Sequence, residues 1–200
     1  FIGTPYDEDP RGLYVSKTAI VADERVDCMY LTFRAVELAL SDSPEEAVQI
    51  ALEKRFHSQG ILKDGRVVNY DDRFQYGEDM IQSGKWGREI TSEIGRTIWI
   101  QGSRGKNFWT ILPPKELLKE MGKIKSGDIL FFATAPEKRK ADECIGHIGI
   151  AKIEKSEWVK KIYMIHPSGV KNRGGAVKKV LLPDYVSRMA FVGVRITRFE

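Results

Sequence analysis

Residues 145–166 read IGHIGIAKIEKSEWVKKIYMIH, and this stretch decides the fold. Two runs rich in Ile, Val, Tyr and Met, Ile145–Glu154 and Trp158–His166, flank a short polar break, the pattern of two strands joined by a hairpin. A turn of two or four residues in that break pairs His147 with His166 on one face of the sheet. A three-residue turn would put them on opposite faces, because side chains alternate with a period of two. In the first register His147 shares its face with Gly149, Ala151, Ile162 and Met164. Both imidazoles then emerge from apolar surroundings, over small residues that leave room for a helix.

Similar strand runs occur at Asp128–Thr134 (DILFFAT) and Phe191–Phe199 (FVGVRITRF). Upstream the period changes. DCMYLTFRAVELAL, from Asp27, reads as an apolar helix with Asp27 as N-cap and Cys28 in its first turn. Ser43-Pro44-Glu45-Glu46 has the form of a capping box with proline at the first helical position, so a second helix is expected from Pro44 to about Phe56. Helices first and an antiparallel sheet last make an α+β fold. Between them, residues 57–125 are punctuated by nine glycines. A short helix is expected over Asp72–Ile81 and another over Pro114–Met121, while Glu89–Gln101 fits helix or strand. The opening residues 1–14 (FIGTPYDEDPRGLY) are loop-like. With no repeat and no linker, residues 1–200 are expected to form a single domain.

Composition excludes several classes. The 200 residues are 42% hydrophobic and 30% charged, and no apolar run approaches the roughly 20 residues of a membrane span. Residues 1–100 carry 12 Lys+Arg against 18 Asp+Glu, and residues 101–200 carry 20 against 10. The basic half, including Lys171, Arg173, Lys178 and Lys179, suits an anionic partner or an ordinary solvated surface. No helix-turn-helix, aromatic-basic strand pattern or zinc module marks a nucleic-acid binder. The chain begins at Phe1 rather than Met, as expected where an upstream segment, with any targeting signal, has been removed.

The chemistry-bearing residues are few: two cysteines, Cys28 and Cys144, and three histidines, His57, His147 and His166. A cysteine at a helix N-terminus sits beside unpaired N–H groups and the positive end of the macrodipole, which favours thiolate. If the helix opened by Cys28 covers the two imidazoles, His147 can exchange a proton with the thiol. His166 then orients that ring, and the Cys28 N–H meets an oxyanion; these are the parts of an acyl-transfer site. A cysteine on an apolar helix is also commonly just a small core residue, so both readings stay open. A Cys₂His₂ zinc site with Cys144 conflicts with strand geometry, since residues three apart face opposite ways. Cys144 is taken as structural, His57 as a surface residue. Trp86, Trp99 and Trp109 line either a sugar groove or the core.

The order Gly3-Thr-Pro-Tyr6, Asp27-Cys28, Ser126-Gly-Asp-Ile-Leu-Phe-Phe132, Gly146-His-Ile-Gly-Ile150 and Ile165-His-Pro-Ser168 resembles the NlpC superfamily of papain-like cell-wall cysteine peptidases and amidases. Its N-acetylmuramoyl-L-alanine amidase-like branch is more similar still, through Arg73-x-x-Tyr76-x-x-Asp79, the turn Pro183–Tyr185 and the strand Gly193–Arg195. The resemblance implies a papain-like α+β domain with residues 57–125 as a specificity insertion. It also implies Cys28 as nucleophile, His147 as general base and His166 as orienting residue. Tyr6, Asp27, Arg73, Tyr76 and Ser168 are the implied substrate-binding residues. The Ser-Gly that usually follows Asp-Cys is replaced by Met29-Tyr30. The glutamate expected about five residues beyond the cysteine is replaced by Phe33-Arg34, and the histidine before Tyr76 by Gln75.

The implied activity is hydrolysis of peptidoglycan or soluble muropeptides at the amide between N-acetylmuramic acid and L-alanine, without metal or cofactor. The alternatives are an endopeptidase cutting between D-glutamate and the diamino acid of the stem, and a non-catalytic wall-binding module. A monomer acting in the periplasm or after secretion is expected; recycling of wall fragments in the cytoplasm equally suits a reduced thiol.

Overall fold

The computed structural model describes residues 1–6, 20–139, 143–157, 159–170 and 174–200. Along them run α1 (Cys28–Leu40), α2 (Pro44–Lys54), β1 (Leu62–Lys63), β2 (Arg66–Val67), α3 (Gly77–Ser83), β3 (Arg88–Glu89), α4 (Thr91–Ile94), β4 (Ile98–Gln101), β5 (Phe108–Ile111), α5 (Pro114–Lys119), β6 (Ile129–Ala133), β7 (Ile145–Lys155), β8 (Lys160–Val170), β9 (Gly174–Leu181), α6 (Leu182–Arg188) and β10 (Gly193–Arg198). The fold is α+β, with helices first, a mixed loop and helix region next, and a sheet built mainly from the final third. That sheet has six strands in the order β3-β10-β6-β7-β8-β9, and β1-β2 and β4-β5 are separate ribbons. Among the described residues no helix is long and apolar enough to cross a membrane.

The chain gathers into two units. One holds Phe1–Gln75 and Pro167–Lys178, the other Tyr76–His166 and Lys179–Glu200.

In the first unit, local capping chemistry starts both long helices. Asp27 accepts from the Tyr30 N–H at 2.6 Å, and Ser43 from the Glu46 N–H at 3.1 Å. Glu46 bonds the Asp42 N–H at 2.7 Å, one residue earlier than a capping box requires. The helices are tied together by a buried charge cluster. Glu37, fully buried on α1, accepts from Arg34 at 3.0 Å and from Arg55 at 2.5 and 2.7 Å. Arg34 also donates to Asp23 at 2.8 and 3.0 Å, and Arg55 to the Ile20 carbonyl at 2.6 Å. Tyr30 lies beneath Arg55, and burial pushes its hydroxyl up to about 12. A small apolar cluster of Ile20, Ala51, Leu52, Phe56 and Val67 completes this unit's core.

In the second unit, α5 and α6 pack Leu117, Leu182 and Val186 into a core shared with Leu130, Phe132, Ala151, Ile162, Met164, Val194 and Ile196 from the sheet. Leu182 and Val186 of α6 thus share one buried core with Ala151, Ile162 and Met164. Burying each such side chain stabilises by roughly 1.5–3 kcal/mol.

The short elements of residues 57–125 differ from the sequence expectation. The expected helix over Asp72–Ile81 is a 3₁₀ turn at Tyr70–Asp72 followed by α3, and Glu89–Gln101 divides into α4 and β4. One cause is a buried carboxylate. Glu78 on α3 accepts from the Ser103 hydroxyl at 2.9 Å, the Ile145 N–H at 3.1 Å and the Cys144 N–H, so α3 is placed by contacts distant in sequence. Glu78→Ala is expected to lower the unfolding free energy by about 2–4 kcal/mol in urea titrations, because it strands two backbone donors and a hydroxyl in a dry interior.

Candidate functional site

At the end of the β7–β8 hairpin Lys155 pairs with Lys160, and the Ser156 N–H donates to the Val159 carbonyl at 2.9 Å. Pairs therefore run Ala151↔Met164 and Ile150↔Ile165, two positions away from the register that sets His147 directly opposite His166. The shift is even, so the parity holds and both histidines remain on one face, as diagonal neighbours. They still meet: His147 Nε2 and His166 Nδ1 are 2.8 Å apart, with the rings nearly perpendicular at 83°. Gly149 leaves the space beneath them. A Cβ there would stand 2.5 Å from Met164 Sδ and 3.4 Å from His166 Cβ.

Three aromatic rings enclose the pair. Phe191 stacks on His147 at 6.2 Å and 11°, Phe132 lies at 6.2 Å on the same ring, and Tyr185 stands 6.4 Å from His147 and 5.1 Å from His166. His166 is only 5% exposed. Burial, and secondarily the facing His166, push the His147 imidazole down to about 3. It is a neutral ring at ordinary pH, and a negative charge brought beside it favours the protonated form. Because the unfolded chain binds a proton on this histidine near 6.5 and the folded chain near 3, its contribution to stability is complete above about pH 6.5 and is lost towards pH 3. Between pH 7 and pH 4 the melting temperature of the wild type is expected to fall more than that of His147→Gln. Equal slopes in a thermal-melt series would mean that the ring is hydrated.

The first unit places the other predicted residues. Cys28 is half-buried as the first residue of α1, directly after its N-cap. The Asp27 carboxylate is engaged in the capping bond, as the simpler of its two roles requires. Tyr6 forms a parallel bridge with Val26, two residues before Cys28, and its N–H donates to the Gly175 carbonyl at 2.9 Å. Its ring lies against Gly169, where a Cβ would come within 2.8 Å of Cε1. Ser168 is half-buried on β8, one residue before that glycine. Backbone pairing thus gathers Tyr6, the start of α1 and the Ser168–Gly169 segment in one unit.

Arg73, Tyr76 and Asp79 have other partners. Arg73 lies over the Tyr70 ring at 4.3 Å and donates to the Tyr70 carbonyl at 3.2 Å, closing a 3₁₀ turn. Tyr76 and Asp79 are both held by Arg104, which stacks on the tyrosine at 4.0 Å and bonds the aspartate at 3.1 Å. Arg104 was not singled out from the sequence, and its positive φ of 53° in a turn leaves no periodic signal. Cys144 is buried, and desolvation pushes its thiol up to about 11, as suits a structural thiol. His57 is exposed against Phe74. Trp86 and Trp109 are core residues, whereas Trp99 is 74% exposed beside Phe108. Lys179 pairs with Glu154 at 2.7 Å, while Lys171, Arg173, Trp158 and the loop residues 7–14 lie outside the described residues. Among the described residues no group of three or more His, Cys, Asp or Glu side chains is arranged to hold a metal ion.

No protein-family model matches the chain, and no curated protein matches it. Solved structures do. A protein from Bacteroides fragilis, provisionally named a xylanase, has a TM-score of 0.71 at 19% identity, over 100% of this chain and 97% of its own. An N-acetylmuramoyl-L-alanine amidase from Bacteroides uniformis ATCC 8492 has a TM-score of 0.71 at 19% identity, over 99% and 94%. Protein LPG0564 from Legionella pneumophila, designated DUF1460, has 0.67 at 16%, over 98% and 84%. The names attached to the first two imply different bonds, so the likeness carries the fold and leaves the chemistry to the residues. The chain has the fold of these proteins along nearly its whole length.

Proposed function

We propose that this protein is a cysteine-dependent hydrolase of peptidoglycan or soluble muropeptides, cutting the amide between N-acetylmuramic acid and L-alanine. The observation that carries the reading is the bonded imidazole pair, His147 Nε2 to His166 Nδ1 at 2.8 Å, inside an aromatic enclosure. Glycoside hydrolysis ordinarily runs on two carboxyl groups, and a pair of imidazoles serves acyl transfer instead. The shared fold with a protein named as an amidase agrees with that choice.

In this reading the Cys28 thiol is the nucleophile. His147 donates its Nε2–H to His166 Nδ1, which leaves His147 Nδ1 as the base that takes the thiol proton. The thiolate attacks the lactyl carbonyl, and the Cys28 N–H, in the first turn of α1, stabilises the oxyanion. The imidazolium, whose charge the thiolate had balanced, protonates the leaving L-alanine nitrogen. Water, deprotonated by the same ring, then hydrolyses the muramyl thioester.

The test is turnover of a defined mixture of soluble muropeptides read by mass spectrometry. The expected products are the intact sugar and a free stem peptide beginning with L-alanine. Cleavage inside the stem would move the bond to the D-glutamate side, and an unchanged mixture would remove the enzymatic reading.

A further inference from the structure

The second unit carries an open groove of about 540 Å³, lined by Val180, Leu181, Asp184, Tyr185, Arg188 and Met189. Tyr185 joins it to the imidazole pair, since its ring stands 5.1 Å from His166 and also forms the groove wall. The floor is fixed, because Val180, Tyr185 and Met189 pack against the same buried core as Leu182 and Val186. Asp184 and Arg188 stand one helical turn apart on α6. Both are exposed, and neither forms an ion pair or side-chain hydrogen bond among the described residues.

We propose that this groove is the subsite for the peptide arm of the substrate, with Arg188 receiving a carboxylate of the arm and Asp184 an ammonium group. The assignment rests on the hydrolase reading above and names which half of the substrate lies beside His166. The chemistry of the lining selects the occupant. Aliphatic and thioether side chains suit short alkyl side chains, and one cation with one anion suits a segment bearing both charges. An uncharged sugar can hydrogen-bond to both ionised groups but leaves their charges unpaired, which a segment bearing both charges does not.

Calorimetric titration tests this without relying on turnover. The probes are the tripeptide L-Ala-γ-D-Glu-L-Lys, its diamide with both carboxyl groups blocked, its Nα,Nε-diacetyl derivative and N-acetylglucosamine. The wild type is expected to bind the free tripeptide at least about tenfold more tightly than the diamide or the diacetyl derivative. Arg188→Gln should erase the preference over the diamide, and Asp184→Asn the preference over the diacetyl derivative, with melting temperatures unchanged because both positions are exposed. Equal binding of tripeptide and diamide by the wild type would overturn the proposal, as would Arg188→Gln binding that matches the wild type, or displacement by the sugar alone. Loss of turnover with the binding pattern intact would count against the hydrolase reading only. Intact turnover with binding indifferent to Arg188 would count against the groove only.

Discussion

Cys28→Ala is expected to reduce muropeptide turnover by about 10⁴-fold or more, with the folded protein essentially unchanged. The position tolerates alanine because what starts α1 is the Asp27 carboxylate on the Tyr30 N–H, a bond that does not involve the Cys28 side chain. Alanine is also the best helix former, so the first turn is not weakened. The loss is therefore chemical, read as kcat in a steady-state assay while the melting temperature stays within about 2 °C, a shift of at most about 1 kcal/mol. Cys144→Ala supplies the opposite control. That thiol is buried and held protonated, so its removal costs packing and leaves turnover in place. A Cys28→Ala protein within tenfold of the wild type would mean that the thiol does not form the acyl intermediate.

The largest stability effect is expected at Glu37. Its carboxylate is fully buried and is shared by two arginines that are themselves 5% and 3% exposed. Glu37→Ala leaves two guanidinium groups facing each other in a dry interior, for which a loss of about 3–5 kcal/mol is expected. A guanidinium keeps its proton in a protein interior, so neither group escapes by losing it once the carboxylate is gone. Guanidinium-induced unfolding of Glu37→Ala and Glu37→Gln measures the effect. Because this cluster fixes α1 against α2, activity should fall in parallel with the folded fraction. A fully stable Glu37→Ala protein would show that water reaches the two arginines.

What could be read from the sequence follows from the range of the interactions that decide each element. Asp27 and Ser43 cap through bonds three residues long, so both helix starts are legible in a single line of text. The shared face of His147 and His166 depends only on the parity of the hairpin, and the two-residue error in register preserved it. The acid expected about five residues beyond Cys28 is absent there, and the buried carboxylate on α1 is Glu37, held by Arg55 from 18 residues away. Glu78 likewise finds its partners 25 or more residues distant. A charged residue in a short apolar helix reads as solvent-facing until those partners are known. The enclosure by Phe132, Tyr185 and Phe191 has the same origin, since rings far apart in the chain converge on one imidazole.

The most direct measurement is acid quenching of the protein within its first turnovers on a soluble muropeptide, followed by mass analysis of the peptide that contains Cys28. The account predicts a thioester-linked muramyl adduct on Cys28, formed before free stem peptide accumulates in steady state and absent from Cys28→Ala. Steady release of stem peptide with no adduct, by a protein whose Cys28 has been fully alkylated, would contradict it.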